Sequence, residues 1–186
     1  MAPYFIVCAL VTLIARCREL VVCFWLLGHI LNEALNFFLK RLFKEQRPPG
    51  APAVGFDGHG MPSAHSQFMG FYLVFSAAVI LLRIKNVSMV YKLLPIAFNL
   101  LLSGAVVFGR VHLGFHTEAQ VIVGLCVGVL FGGCYYTLLH FLIFPRFSDM
   151  AAWGISRFLM LRDCKHVDNV IQSEYDFYTS RQKKRG

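Results

Sequence analysis

Permanent cations and two histidines recur at the ends of apolar segments of this 186-residue chain. Lys40 closes one apolar segment and Arg47 follows seven residues later, whereas His65 opens the next. Arg110 closes a further segment, and His116 lies six residues beyond it. Arginine binds phosphate by paired hydrogen bonds and lysine binds it as a point charge. Because two imidazoles beside a bound phosphate can act as nucleophile and general acid, the pattern indicates phosphate chemistry.

A second anion-binding feature lies at the start of the apolar segment that His65 opens, in the sequence Pro62-Ser63-Ala64-His65. The first N–H groups of a helix have no partner within the helix and favour a bound anion. We therefore expect the Ser63 hydroxyl and the N–H groups of Ala64 and His65 to contribute to phosphate binding.

Three further residues flank this constellation and are candidates for supporting roles. Gln120 lies one helical turn beyond His116, and Pro48 directly follows Arg47. Asn36 lies one turn before the lysine, within an apolar segment. An amide in that position could support the site or could join neighbouring helices by hydrogen bonding.

A metal site is an alternative use of the histidines. His112 and His116 have the four-residue spacing of a metal-binding pair on a helix, and His59 and His65 could add ligands. Cations surround these histidines, and no carboxylate or thiolate joins them as a ligand. We therefore favour the phosphate site and expect no metal or other cofactor.

The remaining histidines and the cysteines are predicted to have no chemical role. His29 and His140 lie inside apolar segments, where we expect packing, and His59 lies in a glycine-rich loop. A contact between His59 and a substrate is the alternative for that residue. The six cysteines include no C-x-x-C pair, and at least four lie in apolar segments. We expect neither a disulfide framework nor a zinc site.

Composition predicts a membrane protein. Hydrophobic residues make up 57% of the chain and charged residues 15%, with a mean hydropathy of +0.59. Soluble domains carry about 25% charged residues. The net charge is +8, without a basic stripe of interleaved aromatic residues. Anionic lipids or substrates therefore fit this charge better than nucleic acid does.

Five apolar segments predict an all-α fold, a polytopic membrane helix bundle with about five transmembrane helices. The expected spans are 1–15, 20–39, 66–82, 93–108 and 119–144. The first is shorter than the roughly 20 residues of a typical span. Its positive charges follow the apolar part, which favours a short or tilted span over a cleaved signal peptide. In the fifth, Gly124, Gly128 and Gly132 predict close packing on one helix face.

The rest of the chain divides into a loop and a tail. Residues 47–62 are rich in proline and glycine and are predicted to be non-helical. We expect residues 1–145 to form the membrane domain and 146–186 an interfacial, basic tail. The face that carries the candidate site has five basic residues, and the other face, with the tail, has thirteen. The positive-inside rule then predicts a cytosolic tail and a site outside the cytosol.

The motifs resemble a known family. Lys40-x6-Arg47-Pro48, Pro62-Ser63-Ala64-His65 and Arg110-x5-His116, in this order, resemble the signature of the type 2 phosphatidic acid phosphatase superfamily. Residues 31–36, 60–68 and 116–120 are similar to the dolichyldiphosphatases within it. Ala64 replaces the usual glycine of the second motif. Gln120 replaces a usual aspartate, as it does in that narrower family.

The resemblance implies an enzyme, a multi-pass lipid phosphatase that converts dolichyl diphosphate to dolichyl phosphate and recycles the lipid carrier of N-glycosylation. It implies that His116 forms a phosphohistidine and that His65 is the general acid. It also implies which residues hold the phosphate oxygens: Lys40, Arg47, Ser63 and Arg110. The alternatives are a phosphatase of phosphatidate, of a sphingoid phosphate or of a bacterial C55 diphosphate, and a non-enzymatic lipid-phosphate binder or transporter.

The end of the chain bears on localisation. Lys183 and Lys184 stand fourth and third from the end, which resembles the dilysine retrieval signal of endoplasmic reticulum membrane proteins. A basic tail attracted to anionic lipid is the alternative. We expect an endoplasmic reticulum protein with a lumenal site and a cytosolic C-terminus. The sequon at Asn86 would then lie in the cytosol and stay unmodified.

Overall fold

The computed structural model describes residues 2–51, 58–85, 87–164 and 170–183, without the side chains of 170–174 and 183. These residues form α-helices and short π and 3₁₀ turns, and they include no β-strand, only two isolated bridges. The all-α prediction is therefore confirmed. The helices are α1 (Ala2–Cys17), α2 (Leu20–Phe43), α3 (Ala64–Ala78), α4 (Met89–His112), α5 (Glu118–Leu138), α6 (Phe147–Ala151), α7 (Gly154–Phe158) and α8 (Val170–Lys183).

Four helical segments of the described chain are long and apolar enough to cross a membrane. They are Leu20–Phe43, Ala64–Arg83, Met89–His112 and Glu118–Ala151. The first helix is apolar but has 16 residues, which corresponds to about 24 Å of length at 1.5 Å per residue. The predicted polytopic bundle, with a short first helix, is therefore confirmed.

Helix α3 lies at the centre of the bundle and packs closely against α5. A methyl group on Gly124 would lie 2.6 Å from the Ser63 carbonyl oxygen, and one on Gly128 would lie 2.1 Å from that of Gln67. A methyl group on Gly132 would lie 3.3 Å from Phe71. The predicted glycine face is thus confirmed, and it brings the start of α3 against the first turns of α5.

Buried amides join α2 to α3. The Gln67 Nε2 donates to the carbonyl and side-chain oxygens of Asn32 at 2.9 and 3.0 Å. Asn36 Nδ2 donates to Gln67 Oε1 at 2.8 Å and to the carbonyl oxygen of Pro62 at 3.3 Å. Asn36 therefore joins α2 to α3 and to the residue that precedes Ser63, whereas its supporting role in the site stays a prediction.

Aromatic side chains form the core between the later turns of α3 and α5. Phe71 and Phe75 of α3 are fully buried and pack with Tyr135 and Tyr136 of α5. Phe147 is also fully buried in this cluster, so the chain just beyond the predicted end of the membrane domain packs into the core. The assignment of residues 146–186 to a cytosolic tail stays a prediction.

Candidate active site

A cavity of about 620 Å³ opens at the end of the bundle where α2 and α4 end and α3 begins. Its polar part is lined by residues of all three motifs, namely Lys40, Arg47, Ala64, His65, Arg110 and His116. Its apolar walls come mainly from α1 and α2, with Val7, Leu26, Ile30 and Phe37. The structure therefore brings the separated motifs together at one end of a partly apolar cavity.

Helix ends hold the cations in place. Lys40 lies in the last turn of α2, and its ammonium donates to the His59 carbonyl oxygen at 3.0 Å. Arg110 lies in the last turn of α4, with its guanidinium carbon 4.1 Å from the centre of the Phe115 ring. The carbonyl oxygen of Arg110 accepts from the N–H groups of Phe115 at 3.1 Å and His116 at 3.2 Å. This turn sets the spacing between the arginine and the histidine.

The start of α3 supplies backbone donors. Ser63 is the N-cap of α3 but makes no side-chain capping bond, so its hydroxyl does not occupy the helix N–H groups. Ser63 is fully buried, accepts from the Ser66 hydroxyl at 3.1 Å, and donates its N–H to the Gln120 carbonyl oxygen at 3.0 Å. The next two residues, Ala64 and His65, line the cavity. Their N–H groups therefore lie at a helix start beside the cations, where they favour an anion.

The Gln120 amide fixes the tautomer of His116. Gln120 Oε1 lies 3.0 Å from His116 Nδ1 and 3.4 Å from the Thr117 N–H, which donates to it. Gln120 Nε2 donates at 2.8 Å to both Glu45 Oε1 and the Gln46 carbonyl oxygen. Since both partners of the amide nitrogen can only accept here, the oxygen must face the histidine. His116 Nδ1 therefore carries the proton, and Nε2 keeps its lone pair.

The surroundings of His116 keep its ring neutral. Burial is the main cause that lowers the pKa of His116; the hydrogen bond to Gln120 opposes the shift, the nearby cations Arg47, Lys40 and Arg110 add to it, and the resulting pKa is about 4. A neutral ring with a free Nε2 lone pair is the nucleophilic form of histidine. The ring is therefore in that form at neutral pH.

Glu45 is a site residue that sequence analysis missed. It lies 75 residues before Gln120 in the chain, and its neighbour Lys44 suggests an ordinary charged surface. In the structure, the Gly60 N–H donates to the Glu45 carbonyl oxygen at 2.6 Å, and Gln46 pairs with His59 in an antiparallel bridge. This backbone pairing, for which the sequence carried no signal, brings the carboxylate to Gln120.

The other histidines fall into two groups. His59 and His29 both line the cavity, and the buried His29 ring also stacks on Phe68 with 4.0 Å between centroids. His112 and His140 are exposed and stack on neighbouring aromatic rings. Within the described residues, no three histidine, cysteine, aspartate or glutamate side chains form a metal-binding group. The zinc cluster considered as an alternative is therefore not assembled there.

Some sequence-based predictions concern residues outside the described ranges. They include the middle of the proline- and glycine-rich loop (52–57), the sequon asparagine Asn86, and Lys184 of the C-terminal lysine pair. Pro48 lies within the described part, where its carbonyl oxygen accepts from the Ala51 N–H at 3.1 Å.

A helical membrane bundle that gathers three cations and two histidines at one end of a cavity defines an integral membrane protein with a candidate phosphate site. The model of the PAP2 superfamily matches residues 21–144, and the chain belongs to this superfamily. The family predicted from the three motifs is thus confirmed.

The chain is similar to proteins named for one activity within that superfamily. It is 37% identical over 183 residues to Dolichyldiphosphatase 1 of Callithrix jacchus, covering 94% of this chain and 76% of the relative. With Dolichyldiphosphatase 1 of Homo sapiens it shares 35% identity over 189 residues, with the same coverage of both chains. Dolichyldiphosphatase of Saccharomyces cerevisiae is 40% identical over 124 residues, 64% of this chain and 52% of that protein. No solved structure is significantly similar to the chain.

Proposed function

We propose that this chain is an integral membrane phosphatase that hydrolyses dolichyl diphosphate to dolichyl phosphate and inorganic phosphate. The observation that carries the proposal is the position of His116, whose Nδ1 lies 3.0 Å from Gln120 Oε1 and whose ring lies at the cationic end of a cavity with apolar walls. Membership of the PAP2 superfamily and similarity to proteins named dolichyldiphosphatase support the same activity. The product would return to use as the lipid carrier of N-glycosylation.

Substrate binding combines charge and burial. Lys40, Arg47 and Arg110 bind the diphosphate oxygens, together with the N–H groups at the start of α3. The apolar walls between α1 and α2 receive the first isoprene units of the lipid, and burial of apolar carbon there contributes to affinity. The same cations neutralise the charge that develops on the transferred phosphoryl group, so the proposed reaction requires no metal ion.

Two displacements complete the reaction. His116 Nε2 attacks the terminal phosphorus, a P–N bond forms, and the P–O bond to the bridging oxygen breaks. His65, on the first turn of α3, donates a proton to the departing dolichyl phosphate. Water then attacks the phosphohistidine while His65 takes its proton, and the P–N bond breaks to release inorganic phosphate. Both histidines thereby return to their starting protonation states.

The proposed location follows from charge. Thirteen of the eighteen basic residues lie on the face opposite the site or in the tail, which favours a cytosolic C-terminus. The site then faces the lumen of the endoplasmic reticulum. Glycosidase treatment of the Asn86 sequon tests this orientation, because a lumenal Asn86 would carry a glycan that the Asn86→Gln variant lacks.

The substrate comparison tests the proposal. Phosphate release by the purified chain is measured from dolichyl diphosphate, dolichyl phosphate and phosphatidate, with and without excess chelator. We expect the highest kcat/KM for dolichyl diphosphate, unchanged by chelator, and no turnover in His116→Ala. His140→Ala, which removes an exposed histidine away from the cavity, is the matched control and should keep wild-type activity. A higher kcat/KM for phosphatidate would contradict the proposed substrate, and binding without turnover would favour a lipid-phosphate binder.

A further inference from the structure

The pair formed by His116 and Gln120 continues to a third side chain. The Gln120 side chain is fully buried, and its amide nitrogen donates to a Glu45 carboxylate oxygen at 2.8 Å. Its amide oxygen lies 3.0 Å from His116 Nδ1. A carboxylate, an amide and an imidazole are therefore joined in series, with the amide donating at one end and accepting at the other.

The geometry points to Glu45 as a positioning residue for the nucleophile, an inference that rests on the proposed function. The carboxylate holds the amide nitrogen of Gln120 away from His116, and so turns the amide oxygen toward the Nδ1 proton. Hydrogen bonds in series polarise one another, so the negative charge of Glu45 also increases the charge on that oxygen. Glu45 thereby provides, through Gln120, the support that a carboxylate in contact with the histidine would give directly.

The backbone around Glu45 keeps the carboxylate in this place. The Glu45 carbonyl oxygen is bound to the Gly60 N–H at 2.6 Å, and the adjacent residues Gln46 and His59 are paired. The Gln46 carbonyl oxygen adds a second acceptor for the Gln120 amide nitrogen at 2.8 Å. A side chain substitution at Glu45 leaves both of these backbone groups unchanged, so its charge can be removed without dismantling the loop.

Removal of the charge should slow the chemical step rather than weaken binding. In Glu45→Gln the new amide oxygen can still accept from Gln120, so the hydrogen bond persists without the negative charge. We expect a fall in kcat of roughly 10-fold for Glu45→Gln and roughly 100-fold for Glu45→Ala, in line with the loss of a charged hydrogen bond. We expect KM to change by less than about 2-fold. Glu118→Gln, an exposed carboxylate in the first turn of α5, is the matched control and should retain wild-type kcat.

A double-mutant cycle tests whether Glu45 acts through Gln120. The rate of phosphoenzyme formation is measured for wild type, Glu45→Gln, Gln120→Met and the double variant, as full chains of equal thermal stability. Methionine is close to glutamine in size but has no amide. We expect the Glu45→Gln effect to shrink below about 2-fold in the Gln120→Met background, because coupled residues are not additive.

Three results would overturn the inference. An equal effect of Glu45→Gln in both backgrounds, or a change confined to KM, would mean that the carboxylate acts on the substrate or on the cations directly. A wild-type rate in Glu45→Gln would mean that its charge has no role. A wrong substrate assignment can be distinguished from a wrong role for Glu45. The double-mutant cycle can be measured with any lipid phosphate that phosphorylates the wild-type enzyme.

Discussion

Gly60→Ala should disturb His116, the proposed nucleophile, although Gly60 is not among the residues that line the cavity. A methyl group on Gly60 would lie 2.5 Å from the Gln120 amide nitrogen and 2.6 Å from its oxygen. To reach a favourable contact of about 3.5 Å, the amide must withdraw by roughly 1 Å. Its bonds to Glu45 and His116, now 2.8 and 3.0 Å, would then lengthen beyond hydrogen-bonding distance.

The size of the effect follows from the contacts that are lost. Displacement of a catalytic group by about 1 Å can lower a rate about 100-fold. Crowding a packed site costs about 1–3 kcal/mol in the free energy of unfolding. We therefore expect kcat to fall between about 10-fold and 100-fold in Gly60→Ala, with KM nearly constant and a protein that still folds.

The assay compares Gly60→Ala with Gly133→Ala. The latter makes the same change on α5, where a methyl group would meet no atom within 4 Å. Initial rates of phosphate release and thermal unfolding are measured for both in the same detergent. Gly133→Ala should match the wild-type rate. Full activity of Gly60→Ala, with wild-type thermal stability, would refute the requirement for the Gln120 amide in its observed position.

Three further predictions use the same network and the helix packing behind it. Because the pKa of His116 lies near 4, the ring gains a proton only as the pH falls through about 4. On the acid side of its pH profile, kcat/KM for phosphoenzyme formation should therefore decline only below about pH 5, and a decline on that side with its midpoint near pH 6.5 would contradict the shift. Gln120→Asp places a second carboxylate near Glu45, so it should slow the hydrolysis of both dolichyl phosphate and dolichyl diphosphate. Adding Glu45→Gln to this variant should raise kcat/KM for dolichyl phosphate relative to that for the diphosphate, and an unchanged ratio of the two values would count against this. In Gly128→Ala the new methyl group would lie 2.1 Å from a backbone oxygen of α3. The unfolding temperature of this variant should therefore lie well below that of Gly133→Ala, and equal unfolding temperatures would contradict the close packing of α3 and α5.

Local signals in the sequence were sufficient to predict which segments form helices and which motif residues line the cavity. Long apolar segments indicate membrane helices because a bilayer leaves the backbone no partner but itself. The predicted ends were too short: α2 continues to Phe43 and α4 begins at Met89. Hydropathy detects the apolar part of a helix, whereas the backbone hydrogen bonds continue into its charged last turns. For the same reason, the prediction did not show that the chain past Pro145 stays helical and buries Phe147.

The contacts between distant segments could not be predicted. The sequence placed Gln120 within reach of His116, because side chains four residues apart on a helix are neighbours. The structure has this contact, although His116 lies just before Thr117, the N-cap of α5. Nothing local connects either residue to Glu45, whose approach depends on the pairing of residues 45–46 with 59–60. The apolar wall of the cavity could not be predicted either. Val7 of α1 and Ile30 of α2 line the same cavity, but no local sequence pattern shows that these two helices lie side by side there.

The identity of the phosphorylated residue tests the central claim most directly. Wild-type chain is mixed with dolichyl diphosphate labelled in its terminal phosphate, quenched within milliseconds in alkali, and the labelled peptide is sequenced. A phosphohistidine is stable in alkali and labile in acid, and it should map to His116. Label should appear on His116 in the wild-type chain, be absent from His116→Ala and be reduced in Glu45→Gln. Label on another residue, or label retained in His116→Ala, would contradict it.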